Sequence, residues 1–235
     1  MSAVLMDALQ ARIGHRFRDG ALLERALTHA SFLQDEPLSP GNNQRLEFLG
    51  DSVLQLVLTE ALFRLYPGDR EGELTKRRAV LTRGQFLSGL AREIGLDLCL
   101  RLGANEEATG GRGRDAALED AFEALIGAVH LDGGMGASQA VVTRVYGDLG
   151  GRLAALVGAA NPKGRLQELV QGLHGNGALR YDLLAAEGED HRRTYEVGVY
   201  ILDRSLGVGR GPSKKAAEED AARAALLSLE SAEPS

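Results

Sequence analysis

The chain of 235 residues has one cysteine, no excess of positive charge, and no run approaching the ~20 apolar residues that cross a bilayer. A lone cysteine excludes an intramolecular disulfide and fits a reducing cytoplasm. Cys99 lies in LDLCLRLG and reads as a small core residue rather than a nucleophile. The first residues, MSAVLMDALQARIG, lack a basic start, a long apolar centre and a small-residue cleavage site, so secretion is not expected. The formal net charge of −6 gives no general basic field. Any nucleic-acid contact has to come from local clustering.

What is present is an ordinary globular composition, 44% hydrophobic, whose patterning changes along the chain. Up to about residue 150, apolar residues recur at spacings of three and four. LLERALTHASF, LEFLGDSVLQLVLTEALFRLY, LTKRRAVLTRGQFLSGLAREIG and ALEDAFEALIGAVHLD all read as helices. The second is apolar nearly all round from Val53 to Leu65, which predicts the central buried helix. Residues 151–160 read as a linker. Beyond them come a helix (Lys163 to Leu173), a strand through Tyr181, Leu183 and Ala185, and a strand carrying Tyr195, Val197, Val199 and Ile201 at period two. A short third strand at Leu206 to Val208 precedes a helix capped by Ser213, with Ala217, Ala221, Ala224 and Ala225 on one face. The order α-β-β-β-α predicts two helices on one side of an antiparallel sheet.

Chemistry concentrates in two of the helical runs. Glu47 and Asp51 stand four apart in NQRLEFLGDSVL, and Asp120 and Glu123 three apart in LEDAFEALIGAVHLD. Like charges at these spacings share a helix face and repel, by roughly 0.2–0.5 kcal/mol per pair even on a surface. Among Leu46, Phe48, Leu49, Val53 and Leu54 desolvation adds to the cost. A hard divalent cation relieves both, and Mg²⁺ suits carboxylate oxygens. Spacing alone does not choose between Asp120 and Glu119, which is i,i+4 to Glu123. Gly50, inside the first helix at a cost of roughly 1 kcal/mol relative to Ala, would let another helix or a substrate come close.

NQRLEFLGDSVL resembles the signature helix of bacterial ribonuclease III, the endonuclease that cuts double-stranded RNA. The likeness continues through Glu71 to Gly103, Gly110 to Asp115 and Ala117 to Asp132, while Asn161 to Leu229 resembles a double-stranded RNA-binding domain. The resemblance implies an all-α catalytic and dimerisation domain at residues 3–150 and an α+β RNA-binding domain at 161–230. It implies Mg²⁺-dependent cleavage to 5′-phosphate products with short 3′ overhangs, and processing of structured ribosomal and messenger RNA precursors. Mn²⁺ is expected to substitute. On the same footing Glu47, Asp120 and Glu123 would ligate the metal, and Asp51 would act with Glu123 in catalysis. Phe48 would insert into the partner of a homodimer. Gln167 and Glu168 would meet ribose hydroxyls, His191 the minor groove, and Lys214 and Lys215 a phosphate. Gly207-Val-Gly-Arg-Gly matches the family's loop before the last helix.

Four positions depart from the family pattern. Gln44 replaces a usual Glu and cannot carry its charge. THAS, Thr28 to Ser31, lacks the common Arg in third place, and His29 within it reads as structural. Glu119 stands where a small residue is usual, and Glu189 replaces a loop proline. Two other readings compete with the nuclease. One is a non-catalytic duplex-RNA binder, which loss of an acid would favour. The other is a helical phosphohydrolase of small nucleotides, which usually needs His-Asp clusters and leaves residues 161–230 unexplained.

Overall fold

The computed structural model describes residues 3–39, 41–175, 177–188 and 193–230. They form two compact units, divided between Leu153 and Ala154. The first unit is helical: α1 (Ala3–Ile13), α2 (Gly20–Ala26), α3 (Phe32–Asp35), α4 (Gln44–Leu65), α5 (Glu71–Leu81), α6 (Gly84–Glu93), α7 (Ala104–Ala108) and α8 (Asp115–Tyr146). The dividing point falls within α9 (Leu149–Ala160). The second unit holds α10 (Pro162–His174), the strands β1 (Leu179–Glu187), β2 (Thr194–Ile201) and β3 (Arg204–Gly211), and α11 (Lys214–Glu230).

In the first unit α8 is the axis, with α2, α4 and α6 packed against it. Ala121, Phe122, Leu125, Ile126 and Val129 of α8 are fully buried against a core that includes Leu54, Leu58 and Leu62 of α4. The expectation that α4 is the central buried helix is therefore corrected. Its apolar residues do run all round, yet Phe48, Leu56 and Phe63 are 80%, 48% and 70% exposed. Their spacings of eight and seven set them in one stripe away from the core. Asp132 fastens the chain before α2 to α8: it accepts hydrogen bonds from the backbone N–H groups of Arg18 (3.1 Å) and Asp19 (3.0 Å) and lies 2.9 Å from His15 Nε2. Gly134, at φ +73°, interrupts the helix just beyond that anchor.

The run LTKRRAVLTRGQFLSGLAREIG is two helices rather than one, broken at Thr82-Arg83 so that α6 starts at Gly84. Residues 151–160, expected as a linker, are helical as part of α9. Between Gly151 and Gly158 every residue is a helix former or tolerates one, and a glycine costs only about 1 kcal/mol. Cys99 is buried, its thiol directed at the Leu5 carbonyl oxygen (3.6 Å), and burial first of all pushes its pKa up.

The second unit is an antiparallel sheet of order β1-β2-β3 with two helices sharing its core. Val197, Val199 and Ile201 point inward as their alternation predicts. A bulge between Leu183 and Ala185 breaks the alternation of β1, leaving Leu183 and Leu184 half-exposed. Asn161 caps α10 through its Oδ1 and the Gly164 N–H (3.0 Å), with Pro162 at the first helical position. The third strand, expected only at Leu206 to Val208, runs from Arg204 to Gly211 and takes in the whole Gly207-Val-Gly-Arg-Gly match to the family's loop. Its alternate glycines face α11: a Cβ at Gly209 would lie 2.6 Å from the Ala217 carbonyl oxygen. A missing side chain at every second residue lets strand and helix backbones meet.

Candidate active site

The acids are brought together by a backbone-to-backbone crossing of α4 and α8. A Cβ at Gly50 would lie 2.6 Å from the Glu123 carbonyl carbon and 2.9 Å from the Gly127 nitrogen. A Cβ at Gly127 would lie 3.1 Å from both the Leu46 carbonyl carbon and the Gly50 nitrogen. No side chain larger than hydrogen fits at either point, so the helices touch where the acidic turns begin. Gly50 admits a second helix, one of the two partners its position allowed. Gly127 carries the same signal, a glycine inside an apolar helical run, and was not singled out from sequence.

Glu47, Asp51, Glu119, Asp120 and Glu123 are all half-buried at this crossing. Burial, then the charges of Asp120, Glu119 and Asp51, push the Glu47 carboxyl above its ordinary range. Burial, then Asp120, Asp115 and Asp51, raise Glu119. Burial raises Asp120, with His29 opposing. Glu123 moves furthest, pushed up to about 8 by burial and then by Asp51, Glu119, Glu47 and Asp120. Both oxygens of Asp51 accept hydrogen bonds from Gln55 Nε2, at 2.8 and 3.0 Å. Gln55 is a further site residue, legible only as a polar group one turn beyond Asp51.

An all-carboxylate set is the donor chemistry that Mg²⁺ and Mn²⁺ select. With Glu123 retaining its proton to about pH 8, the pocket holds more potential negative charge than it tolerates ionised. Among the described residues no three His, Cys, Asp or Glu side chains stand arranged to hold a metal ion. His29 is engaged locally, its Nδ1 accepting from the Ser31 N–H (3.2 Å) and lying 2.8 Å from Ser31 Oγ. Gln44 Oε1 accepts from Asn42 Nδ2 (3.1 Å).

Phe48 edges a hollow of about 780 Å³ lined also by Arg25, Leu33, Leu46, Leu49 and Leu131. Phe48 is 80% exposed, a large apolar side chain left on the surface beside this hollow. In the second unit, Lys214 and Lys215 are exposed at the start of α11, where Ser213 Oγ accepts from the Ala216 N–H (3.1 Å). Lys215 Nζ lies 3.9 Å from Glu219. Gln167 is half-buried and Glu168 exposed on α10. His191 and Glu189 lie outside the described residues. Lys163, by contrast, is tied up, 2.6 Å from Glu218 and over the Tyr181 ring.

Comparison with known proteins identifies the family. The ribonuclease-III-like family model matches residues 19–149, and the double-stranded RNA binding motif matches residues 162–229. Ribonuclease 3 of Nitratidesulfovibrio vulgaris is 43% identical, over 96% of this chain and 88% of that protein. Ribonuclease 3 of Symbiobacterium thermophilum is 45% identical, over 92% of this chain and 90% of that protein. A crystal structure of the ribonuclease III nuclease domain of Campylobacter jejuni, with a flexible region involved in dimer formation, superposes with a TM-score of 0.56 at 38% identity, over 60% of this chain and 94% of that one. Half the chain or more on one family model, and relatives this similar end to end, place the protein by descent: it belongs to the ribonuclease III family, with a double-stranded RNA-binding motif behind its nuclease domain.

Proposed function

We propose that this ribonuclease III family endonuclease, which acts on double-stranded RNA, cuts both strands of a duplex in a Mg²⁺-dependent reaction, with Mn²⁺ able to substitute. The observation that carries this reading is the group of half-buried carboxylates at the α4–α8 crossing, with Glu123 pushed up to about 8. Glu47, Asp120 and Glu123 would hold the metal, which when bound supplies an activated water and positive charge at the departing oxygen. Asp51, which accepts hydrogen bonds from Gln55, would orient a water and accept its proton.

A homodimer supports cutting of two strands, because two-fold symmetry sets two such pockets in opposite senses. The exposed Phe48 and its neighbouring hollow favour that assembly. The nuclease domain would span residues 3–150 and the RNA-binding domain 161–230, with Gln167, Glu168, His191, Lys214 and Lys215 gripping A-form shape over ~16 base pairs. Products would carry 5′-phosphates and short 3′ overhangs. Ribosomal and messenger RNA precursors in the cytoplasm are the proposed substrates, and among the described residues no helix is long and apolar enough to cross a membrane.

The test is incubation of a long RNA duplex with the protein and Mg²⁺, beside EDTA and Glu123→Gln controls. Cleavage to 5′-phosphate fragments is expected only for the wild type with metal. The Glu123→Gln rate should fall by more than the ~10–100-fold typical of groups that merely support a ligand. Duplex binding without Mg²⁺-dependent cutting would return the assignment to a non-catalytic binder.

A further inference from the structure

We propose that Glu119 is a fifth working carboxylate of the acidic pocket, a positioning residue seated against the start of α6 whose charge strengthens divalent-cation capture at Glu47 and Glu123. The inference rests on the metal-dependent reading above and adds to it a residue outside the set of three proposed ligands.

The placement of Glu119 is specific. It precedes Glu123 by four residues on α8, so the two side chains are stacked on one face. Its head group lies against Gly84, where a Cβ would come within 2.6 Å of the Glu119 carboxyl carbon. A side chain at 84 would displace that head group. Gly84 opens the ten-residue α6, whose first backbone N–H groups favour a nearby anion.

The surrounding acids show by contrast what is unusual here. Asp115 pairs with Arg92 (2.7 Å), Glu106 with Arg114 (2.6 Å), Glu107 with Arg112 (2.5 Å) and Glu93 with Arg152 (2.7 Å). Each of these charges is answered by an arginine of the same unit. Among the described residues Glu119 has no basic partner, and the charges that raise it are Asp120, Asp115 and Asp51, all of the same sign. Its own charge reaches both Glu47 and Glu123. An acid lying against Gly84, with no basic partner among the described residues and close enough to other acids to raise them, adds negative potential where an incoming cation must lose water. Such a charge acts at a distance of several ångströms and needs no direct bond to the ion.

The competing explanation is that Glu119 is only a peg filling the space above Gly84. Glutamine has the same shape and no charge, so it separates the two. Binding of Mn²⁺ to the metal-free full-length protein would be followed by the paramagnetic resonance of free Mn²⁺, for the wild type, Glu119→Gln, Glu119→Ala and Glu123→Gln. The expected result is an apparent dissociation constant about tenfold weaker in both Glu119 variants, with thermal midpoints in EDTA no lower for Glu119→Gln than for the wild type. If Glu119→Gln binds Mn²⁺ as the wild type does, Glu119 is a peg and the inference fails while the metal site stands. If the wild type binds no better than Glu123→Gln, the metal reading itself fails and takes this inference with it. Should Glu119→Ala not fold, the isosteric variant decides alone.

Discussion

At Glu123 burial and four neighbouring carboxylates all act in one direction, and this makes the metal-free protein sensitive to alkali. Its folded pKa of about 8 lies above the ordinary 4.5, so the fold favours the protonated form. That contribution is complete below the ordinary value and is lost as pH rises through about 8. Glu47, Glu119 and Asp120 are shifted the same way. The melting temperature measured in EDTA is therefore expected to decline from mildly acid to mildly alkaline pH, and Glu123→Gln to flatten the slope. Asp132 works in the opposite sense. The Asp19 and Arg18 backbone N–H groups and His15 hold its carboxyl below its usual value, so its contribution is present at neutral pH and lost as pH falls through the acid range. At this scale the acids were visible from residue type and spacing, while the choice of Asp120 over Glu119 came only from the family resemblance. Their pKa values were not visible, because burial and cross-helix neighbours set them.

The element that decides the site is the crossing of α4 and α8. Helical periodicity placed each helix, and glycine inside an apolar run marked Gly50 as a point of close approach. Which helix would approach it is a tertiary fact. Gly50→Ala should gain ~1 kcal/mol of helix propensity yet destabilise the protein by a net ~1–3 kcal/mol, because the methyl group would overlap the Glu123 carbonyl. Urea unfolding of the pair of proteins measures this, and equal midpoints would mean that the crossing relaxes freely. Elements were misjudged where a pattern has two structural uses. Glycines 209 and 211 fall beyond the expected strand, in the match to the family's loop, yet with Gly207 they continue the strand and clear one face for α11. The apolar girth of α4 read as full burial, yet Phe48, Leu56 and Phe63 form an outward stripe suited to a partner.

For the whole molecule, a net charge of −6 means that RNA cannot be held by a general field. Affinity has to come from local groups, and the exposed Lys214 and Lys215 at the start of α11 are the ones proposed here. Replacing both by alanine should weaken duplex binding regardless of RNA sequence. The slope of log affinity against log salt should fall by about 2, one for each lost phosphate contact. Filter binding in Ca²⁺, across a range of salt, separates binding from cutting. An unchanged slope would assign the phosphate contacts to other groups.

The amino-acid sequence alone determined the helical first part and the α-β-β-β-α order of the second, the acids in two helical runs, the single buried thiol and the family, since each is carried by residue type and by spacing along one chain. Tertiary structure decided that Glu119 joins the pocket beside Asp120, that Gln55 steadies Asp51, and that Gly84, Gly50 and Gly127 are contact points. These depend on which surfaces of distant segments meet. Spacing along a chain records neighbours one turn away, whereas the meeting of α4, α6 and α8 is settled by how their side chains fill a common core.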